Sequence, residues 1–245
     1  VAESDSNFGL VQSRLMLWSS DKKESKINSL GNNLHFLGFG YCQGYQENWH
    51  GQVKKPREIT YASGAAVLIK CGVFKKIGLL AGEFFMYHED TDFSWRARLA
   101  GYQIVLAPDS VVWHKYEFER SVRQFYFMER NRLIMMLENY QWPTLILILP
   151  AFIFMETGLL AYSFLTGLWR EKFKVYFYFW QSKNLKTIIK NHRQKSRQRV
   201  VGDRTIAKYL TGKIQFQEIE NPLLKYIANP ILNFYWLIVR NLIFW

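Results

Sequence analysis

The sequence has little of what usually cross-links a chain or binds a metal. Only two of its 245 residues are cysteine, Cys42 and Cys71, which excludes a disulfide-rich scaffold and a paired-cysteine metal motif. A P-loop, a GxGxxG motif and the HExxH spacing of zinc peptidases are absent as well. A reducing compartment is the simpler environment for two such thiols.

The sequence is not poor in apolar residues either: 49% of the residues are apolar and 17% are aromatic. This composition excludes a disordered chain, which requires low hydrophobicity. Acidic side chains are scarce in one part only. Residues 143–245 carry 15 basic and 5 acidic side chains, whereas residues 1–142 carry 17 and 15. The basic, aromatic second part predicts an acidic partner, for which anionic lipid and nucleic acid are the two candidates.

An apolar run favours lipid over nucleic acid. Residues 143–169 contain one charged side chain, Glu156, and the run is long enough to cross a bilayer. Trp142 and Trp169 lie at its ends, where interfacial aromatic residues are expected, although a buried core helix is the alternative. Nucleic acid is not an expected partner, since no RRM, KH or helix-turn-helix pattern is present.

Basic residues on both sides of the run argue against a single crossing, because Lys and Arg favour the cytoplasmic side. Pro150, Glu156 and Gly158 also interrupt the run, and a charge at bilayer depth is costly. We therefore expect a re-entrant hairpin or a deeply embedded helix with both ends cytoplasmic. The flanking basic residues are Arg120, Arg123, Arg130 and Arg132 before the run and Arg170, Lys172 and Lys174 after it.

Residues 170–245 are expected to form basic interfacial helices. The basic and aromatic stretch 172–180 and the apolar, aromatic stretch 226–245 are typical of helices that lie in a membrane surface. Between them, residues 183–213 carry ten basic side chains against Asp203, which an anionic leaflet would attract. A solvated helical face is the alternative interpretation of this basic stretch.

Residues 1–128 alternate between helix and strand patterns, which predicts the α/β fold class. A buried strand is predicted over 60–69, and its Ser63–Gly64 interruption is typical of a close approach by a ligand. The other predicted elements are a polar turn at 19–23, a short helix over 73–77, an amphipathic helix over 91–100, and strands over 103–107 and 110–113.

The closest grouping of ionisable side chains is an acidic run in which Glu89, Asp90 and Asp92 fall within four residues. Adjacent carboxylates repel one another and are tolerated where they cap a helix, bind a cation or polar ligand, or serve catalysis. A helix cap alone needs one carboxylate, not three. His114, at the end of a predicted strand, is a second candidate, although a lone histidine is more often structural. The small residues 63–66 would let a substrate lie against the backbone.

In their order and spacing, three motifs resemble the C-terminal half of a family 2 glycosyltransferase with the GT-A fold, and rhamnosyltransferase-like members look closest. The similarity covers about residues 7–126. The three motifs are SGA at 63–65, the EDxDxxxRxxxxG block that runs from Glu89 to Gly101, and V-x-H at 112–114.

This resemblance implies a role for each matching residue. Asp90 would be the general base that deprotonates an acceptor hydroxyl, and His114 would help to bind a divalent metal. Asp92 and Arg96 would hold the loop and the helix in place. The implied substrate-binding residues are Ser63, Gly64, Glu89, Asp92, Arg96 and Trp113.

The sequence also departs from the family pattern. No Asp-x-Asp motif lies upstream of residue 60, and the acidic pair Glu3 and Asp5 has no strand before it. The chain opens at Val1 without an initiator methionine or a leader pattern, so we expect that the nucleotide-binding half precedes it and that this chain is inactive alone. The implied cofactor, Mg²⁺ or Mn²⁺, would be bound mainly by that half.

The resemblance therefore predicts an incomplete GT-A domain over 1–128 followed by a membrane-associated helical region over 129–245. Its implied function is inverting sugar transfer from a nucleotide-sugar donor to a glycan or polyprenyl-linked acceptor. The expected location is the cytoplasmic face of the cell inner membrane, with anionic membrane lipids as a further partner. The alternative is a non-catalytic membrane-binding module or a degenerate transferase.

Overall fold

A computed structural model of the chain is mixed α/β, as the sequence predicts. It describes residues 1–18, 26–115, 122–215 and 221–245. Arg120 and the polar turn predicted at 19–23 lie outside the described residues.

The larger sheet is built on two long strands, β1 (Phe8–Leu17) and β7 (Gln103–His114), which run parallel. Three short strands flank them in antiparallel fashion: β2 (Ile27–Ser29), β5 (Arg57–Glu58) and β6 (Val67–Ile69). The strand order is β2-β1-β7-β5, and β6 pairs with the first half of β1.

Two strand predictions need correction. The strands predicted over 103–107 and 110–113 are one strand, because a shift of register opposite Ser13 and Arg14 accommodates Pro108 without ending the pairing. The buried strand predicted over 60–69 is wrong, since only β6 is a strand there and its side chains are partly exposed. Residues 63–66 instead form a loop beside the sheet.

The helix predicted over 73–77 is confirmed as α1 (Cys71–Ile77), which ends at Gly78 with φ 80°. The helix predicted over 91–100 is α2 (Glu89–Leu99), but its predicted amphipathic character is wrong. Every residue over 91–99 is buried. Its cations do not mark a solvent face, because Arg98 donates to Glu58 at 2.8 Å and lies over the ring of Tyr209.

Helices dominate the rest of the chain. In chain order they are α3 (Val122–Asn139), α4 (Trp142–Leu165), α5 (Trp169–Trp180), α6 (Ser182–Gln198), α7 (Asp203–Ala207) and α8 (Asn229–Leu242), with a π-helical turn at Leu224–Ala228. A second, small sheet joins β3 (Asn32–His35), β4 (Gly40–Cys42) and β8 (Leu210–Thr211).

The second part of the chain shares a core with the first. β8 pairs in parallel with β3, and the rings of Phe36 and Trp236 stack with centroids 4.7 Å apart. Ile148 of α4 is buried in the same apolar cluster. The boundary expected at 128 therefore falls within α3, and the helices that follow pack against the residues that precede it.

α4 contains the apolar run. In the described part of the chain it is the one helix that is long and apolar enough to cross a membrane, with a mean hydropathy of 2.0. A core helix of a soluble protein can have the same length and composition, so these two properties are weak evidence of a crossing. Only 22% of the apolar window is buried, and side chains such as Ile146 and Ile153 are 69% and 56% exposed.

Candidate functional site

The structure brings the SGA loop and the acidic run together at the start of α2. The backbone N–H of Gly64 donates to Oδ2 of Asp90 at 2.9 Å. The loop is held from the other side by Gln12, whose Oε1 accepts from the N–H of Ser63 at 2.8 Å, and by Ser94, which accepts from Ala62 at 3.2 Å. Two motifs that are far apart in the sequence thus share one site.

Asp90 is half-buried, and backbone donors hold its carboxylate. Oδ1 accepts from the N–H of Thr91 at 2.6 Å and from its hydroxyl at 3.1 Å. The contact with the first turn of α2 is what the helix-cap alternative expects, whereas the contact with Gly64 ties Asp90 to a separate loop. Among the described residues, two hydrogen bonds from Thr91 thus reach Oδ1 and one from Gly64 reaches Oδ2.

The two neighbouring carboxyl groups bind protons more readily than exposed ones would. Burial raises the pKa of Asp90 in spite of its hydrogen bonds to Gly64 and Thr91. Burial and the charge of Asp90 together raise the pKa of Glu89. Oε2 of Glu89 is buried and accepts no hydrogen bond from the described residues, which is unusual for a buried oxygen outside functional sites.

Directly before α2, the backbone takes up a rare conformation. Phe85, Tyr87 and His88 have φ of 61°, 63° and 67°, and residues other than glycine rarely adopt positive φ. Such strain needs support from the surrounding structure and is common at functional sites. The support comes from the side-chain amide of Asn131 in α3, which lies 2.7 to 2.9 Å from the carbonyl oxygens of Phe84, Met86 and Tyr87.

Asp92 and Arg96 lie behind the site and position α2. The carboxylate of Asp92 is fully buried, with Arg96, Asn139 and Lys195 each donating to it at 2.7 Å. Arg96 also donates to the carbonyl of Ile77 at 2.9 Å. Both side chains therefore tie α2 to neighbouring parts of the fold, and the positioning and substrate-binding roles that the resemblance implies for them stay predictions.

Lys195 also lies in this region, although it belongs to the basic stretch 183–213 that was expected to face lipid. In the structure it reaches inward from α6 and pairs with Asp92 at 2.7 Å and with Glu138 at 2.6 Å. The signal that would have found it is its spacing from Ile188 and His192, because residues i, i+4 and i+7 share one helix face. Asn131 and Gln12 carry no comparable signal in the sequence.

Trp113 and His114 lie at the far end of β7, opposite Met16 and Leu17 of β1. Trp113 is partly exposed, and Nδ1 of His114 lies 3.0 Å from Oδ1 of Asn28. Within the described ranges, no three His, Cys, Asp or Glu residues cluster as metal ligands would. The surroundings of His114 therefore do not by themselves fit a divalent metal, and the metal role of His114 stays a prediction.

No family model matches the chain, and no curated protein matches it. A half-buried carboxylate with a raised pKa, beside a loop with exposed small residues, can take a proton from a hydroxyl group.

Proposed function

We propose that the chain is the acceptor-side part of an inverting GT-A glycosyltransferase that acts at the cytoplasmic face of the cell inner membrane. It transfers a sugar from a nucleotide-sugar donor to a hydroxyl of a glycan or polyprenyl-linked acceptor. The observation that carries the proposal is the hydrogen bond from Gly64 to Asp90. It joins the two motifs that would hold the acceptor and deprotonate it.

In this reaction Asp90 is the general base. Oδ2 of Asp90 accepts the proton of the acceptor hydroxyl while the hydroxyl oxygen attacks the anomeric carbon. The bond from this carbon to the diphosphate breaks, and its electron pair leaves with the diphosphate oxygen, which inverts the configuration. The N–H groups of Gly64 and Thr91 fix the orientation of the carboxylate, so that little rearrangement is needed during the reaction.

The donor would be bound by a nucleotide-binding half of the kind that the resemblance implies. The loop over 63–66 would line the acceptor site, because Gly64 and Ala65 are exposed and Gly64 contacts Asp90. The residues of this chain then bind and orient the acceptor and hold the proton at Asp90.

The packing of α4 supports an embedded hairpin over a single crossing. After α4 the chain turns back through α5, where Lys172 lies 2.8 Å and the hydroxyl of Tyr176 3.0 Å from Oε2 of Glu156. It then continues into α6, whose Lys195 pairs with Asp92. The segments before and after α4 thus pack against the same globular body, which is what both ends on one side of a membrane require.

The test of the catalytic proposal is the substitution Asp90→Asn in the complete protein encoded by the reading frame that contains this chain. General-base catalysis contributes about 10²- to 10⁴-fold, so we expect a loss of turnover of that order. Asp109→Asn is the matched control, because Asp109 is an exposed aspartate on β7. Nucleotide-sugar turnover is the measurement, with circular dichroism to verify folding.

Glu89→Gln completes the test, because Oε2 of the adjacent Glu89 accepts no hydrogen bond within the described part of the chain. If Glu89→Gln abolishes turnover while Asp90→Asn leaves it within threefold of the unsubstituted protein, Glu89 is the base and the assignment to Asp90 is wrong. If neither substitution changes turnover, the catalytic proposal fails.

A degenerate transferase that only binds a membrane is the second candidate. One observation favours it: the hydrogen bonds of Asp90 from Gly64 and Thr91 are also those of a purely structural carboxylate. In that case Asp90→Asn lowers the free energy of unfolding, and the unsubstituted complete protein has no turnover with any nucleotide sugar.

A further inference from the structure

We propose that the outer face of α6 is a docking surface for an anionic phospholipid bilayer. Five exposed cations form this surface, here called the cationic stripe: Lys183, Lys186, Lys190, Arg193 and Arg197. Their spacing alternates between three and four residues, which places all five along one side of the helix. The proposal does not depend on the transfer reaction.

The orientation of α6 is fixed by its other side. Ile188 is buried, His192 bonds to the carbonyl of Leu137 through Nδ1 at 2.9 Å, and Lys195 pairs with Asp92 and Glu138. α6 contains no Asp or Glu, so no acidic residue within the helix offsets the charge of the stripe. The stripe therefore presents five positive charges along about four turns.

Apolar side chains beside the stripe favour a bilayer over a nucleic acid. Leu185 and Ile189, each 40% exposed, occupy the helix row between the stripe and His192. The ring of His192 lies 4.8 Å from that of Trp142, the first residue of α4. The apolar row thus lies between the stripe and the start of the exposed apolar helix.

Exposed aromatic rings precede the stripe at the end of α5. Phe177 is 64% and Trp180 84% exposed. Aromatic and aliphatic side chains beside a row of Lys and Arg match the bilayer interface, where apolar groups enter the acyl boundary and cations meet lipid phosphates. A polynucleotide offers no apolar phase to the aliphatic row.

The test measures binding of the full chain to two kinds of vesicle. One is phosphatidylcholine alone, and the other contains about 30% phosphatidylglycerol to supply an anionic surface. Comparing the two separates the charge-dependent part of binding from insertion of α4. Each Lys contributes about fivefold near an anionic surface, so Lys183→Gln, Lys186→Gln and Lys190→Gln together should lower the preference for anionic vesicles about a hundredfold. Added salt should have the same effect in the unsubstituted chain.

The matched control removes three exposed lysines elsewhere, by Lys54→Gln, Lys55→Gln and Lys75→Gln, and should leave the preference within about threefold. An equal loss in both triple variants would overturn the proposal, because net charge would then explain the binding. Tighter binding of a single-stranded RNA homopolymer than of anionic vesicles at equal salt would also overturn it. Asp90→Asn should not change vesicle binding, so failure of the catalytic proposal is distinguishable from failure of this one.

Discussion

Two carboxylates of the same helix turn have opposite electrostatic environments. Burial raises the pKa of Asp90, whose partners are N–H and hydroxyl groups without charge. Burial acts in the same direction on Asp92, but the charges of Lys195 and Arg96 outweigh it and lower the pKa of Asp92. Groups whose environments separate their pKa values in this way are typical of sites that divide catalytic and structural roles.

This separation predicts a pH dependence for the proposed transfer reaction. A general base acts in its deprotonated form, so kcat/KM should fall as the pH drops through the pKa of Asp90, and this acidic limb should lie above the ordinary aspartate pKa of about 3.9. The hydroxyl of Thr91 donates to Oδ1 of Asp90, and this hydrogen bond lowers the pKa of Asp90. Thr91→Val removes the hydroxyl and should therefore raise the pKa of Asp90. The limb should therefore move to higher pH in this variant.

Thr187→Val is the matched control, because Thr187 is an exposed threonine on α6 whose hydroxyl bonds within its own helix. Its pH profile should coincide with that of the unsubstituted protein. A limb that stays in place in Thr91→Val, or that shifts equally in the control, would show that the titrating group is not Asp90.

At the scale of the element, α4 is attached to the body through a buried charge cluster made of Glu129, Arg132, Glu156 and Lys172. Arg132 of α3 and Lys172 of α5 both pair with Glu156, the one charged residue of α4. Burial would raise the pKa of Glu129, but the two cations lower it to about 2. Two carboxylates and two cations balance, so the cluster connects three helices without net charge.

Glu156→Gln is therefore expected to destabilise the protein. It leaves two buried cations facing Glu129 alone, and removing one partner of a buried pair costs about 3–5 kcal/mol. Urea unfolding of the purified chain in detergent measures the free energy. The double variant Glu156→Met with Lys172→Met restores the balance of charge, and its loss should be smaller than that of Glu156→Gln.

Lys174→Gln is the control for the element, since Lys174 is an exposed lysine of α5 that pairs only with nearby Glu171 among the described contacts. An exposed pair of this kind contributes at most about 1 kcal/mol. If Glu156→Gln were no more destabilising than Lys174→Gln, α4 would not depend on the charge cluster for its attachment.

At the scale of the whole molecule, the position of α4 relative to the rest decides the topology in a membrane. Because α3 on one side of α4 and α5 and α6 on the other pack against the same body, residues on either side of α4 should face the same aqueous compartment. Single cysteines at Lys55 and Ser196, both exposed, test this in a background where Cys42 and Cys71 are serine. A membrane-impermeant maleimide added to sealed inside-out vesicles should label both positions.

Labelling of only one position in intact vesicles, with both labelled after detergent, would show that α4 crosses the bilayer. Labelling of both positions in a soluble fraction that never associates with vesicles would instead identify α4 as a core helix. The exposed apolar side chains of α4 argue against the core-helix outcome.

Local patterns in the sequence were sufficient to predict the chemical character of several helices of this protein. The apolar run of α4 and the acidic start of α2 depend on residues that are neighbours in the chain, and helix propensity and hydrophobic length act over such short distances. The same holds for the basic character of α6. The sequence by itself therefore determined which elements carry apolar surface, acid and positive charge.

Only the tertiary structure decided how these elements face one another. The hydrogen bond from Gly64 to Asp90, the inward turn of Lys195 and the pairing of β8 with β3 join residues that are distant in the chain. The same applies to α2, which local pattern predicted to be half exposed and which packing buries on all sides. Such contacts depend on which faces are covered once the whole chain is folded, and burial, with the pKa values it sets, is a property of that packing.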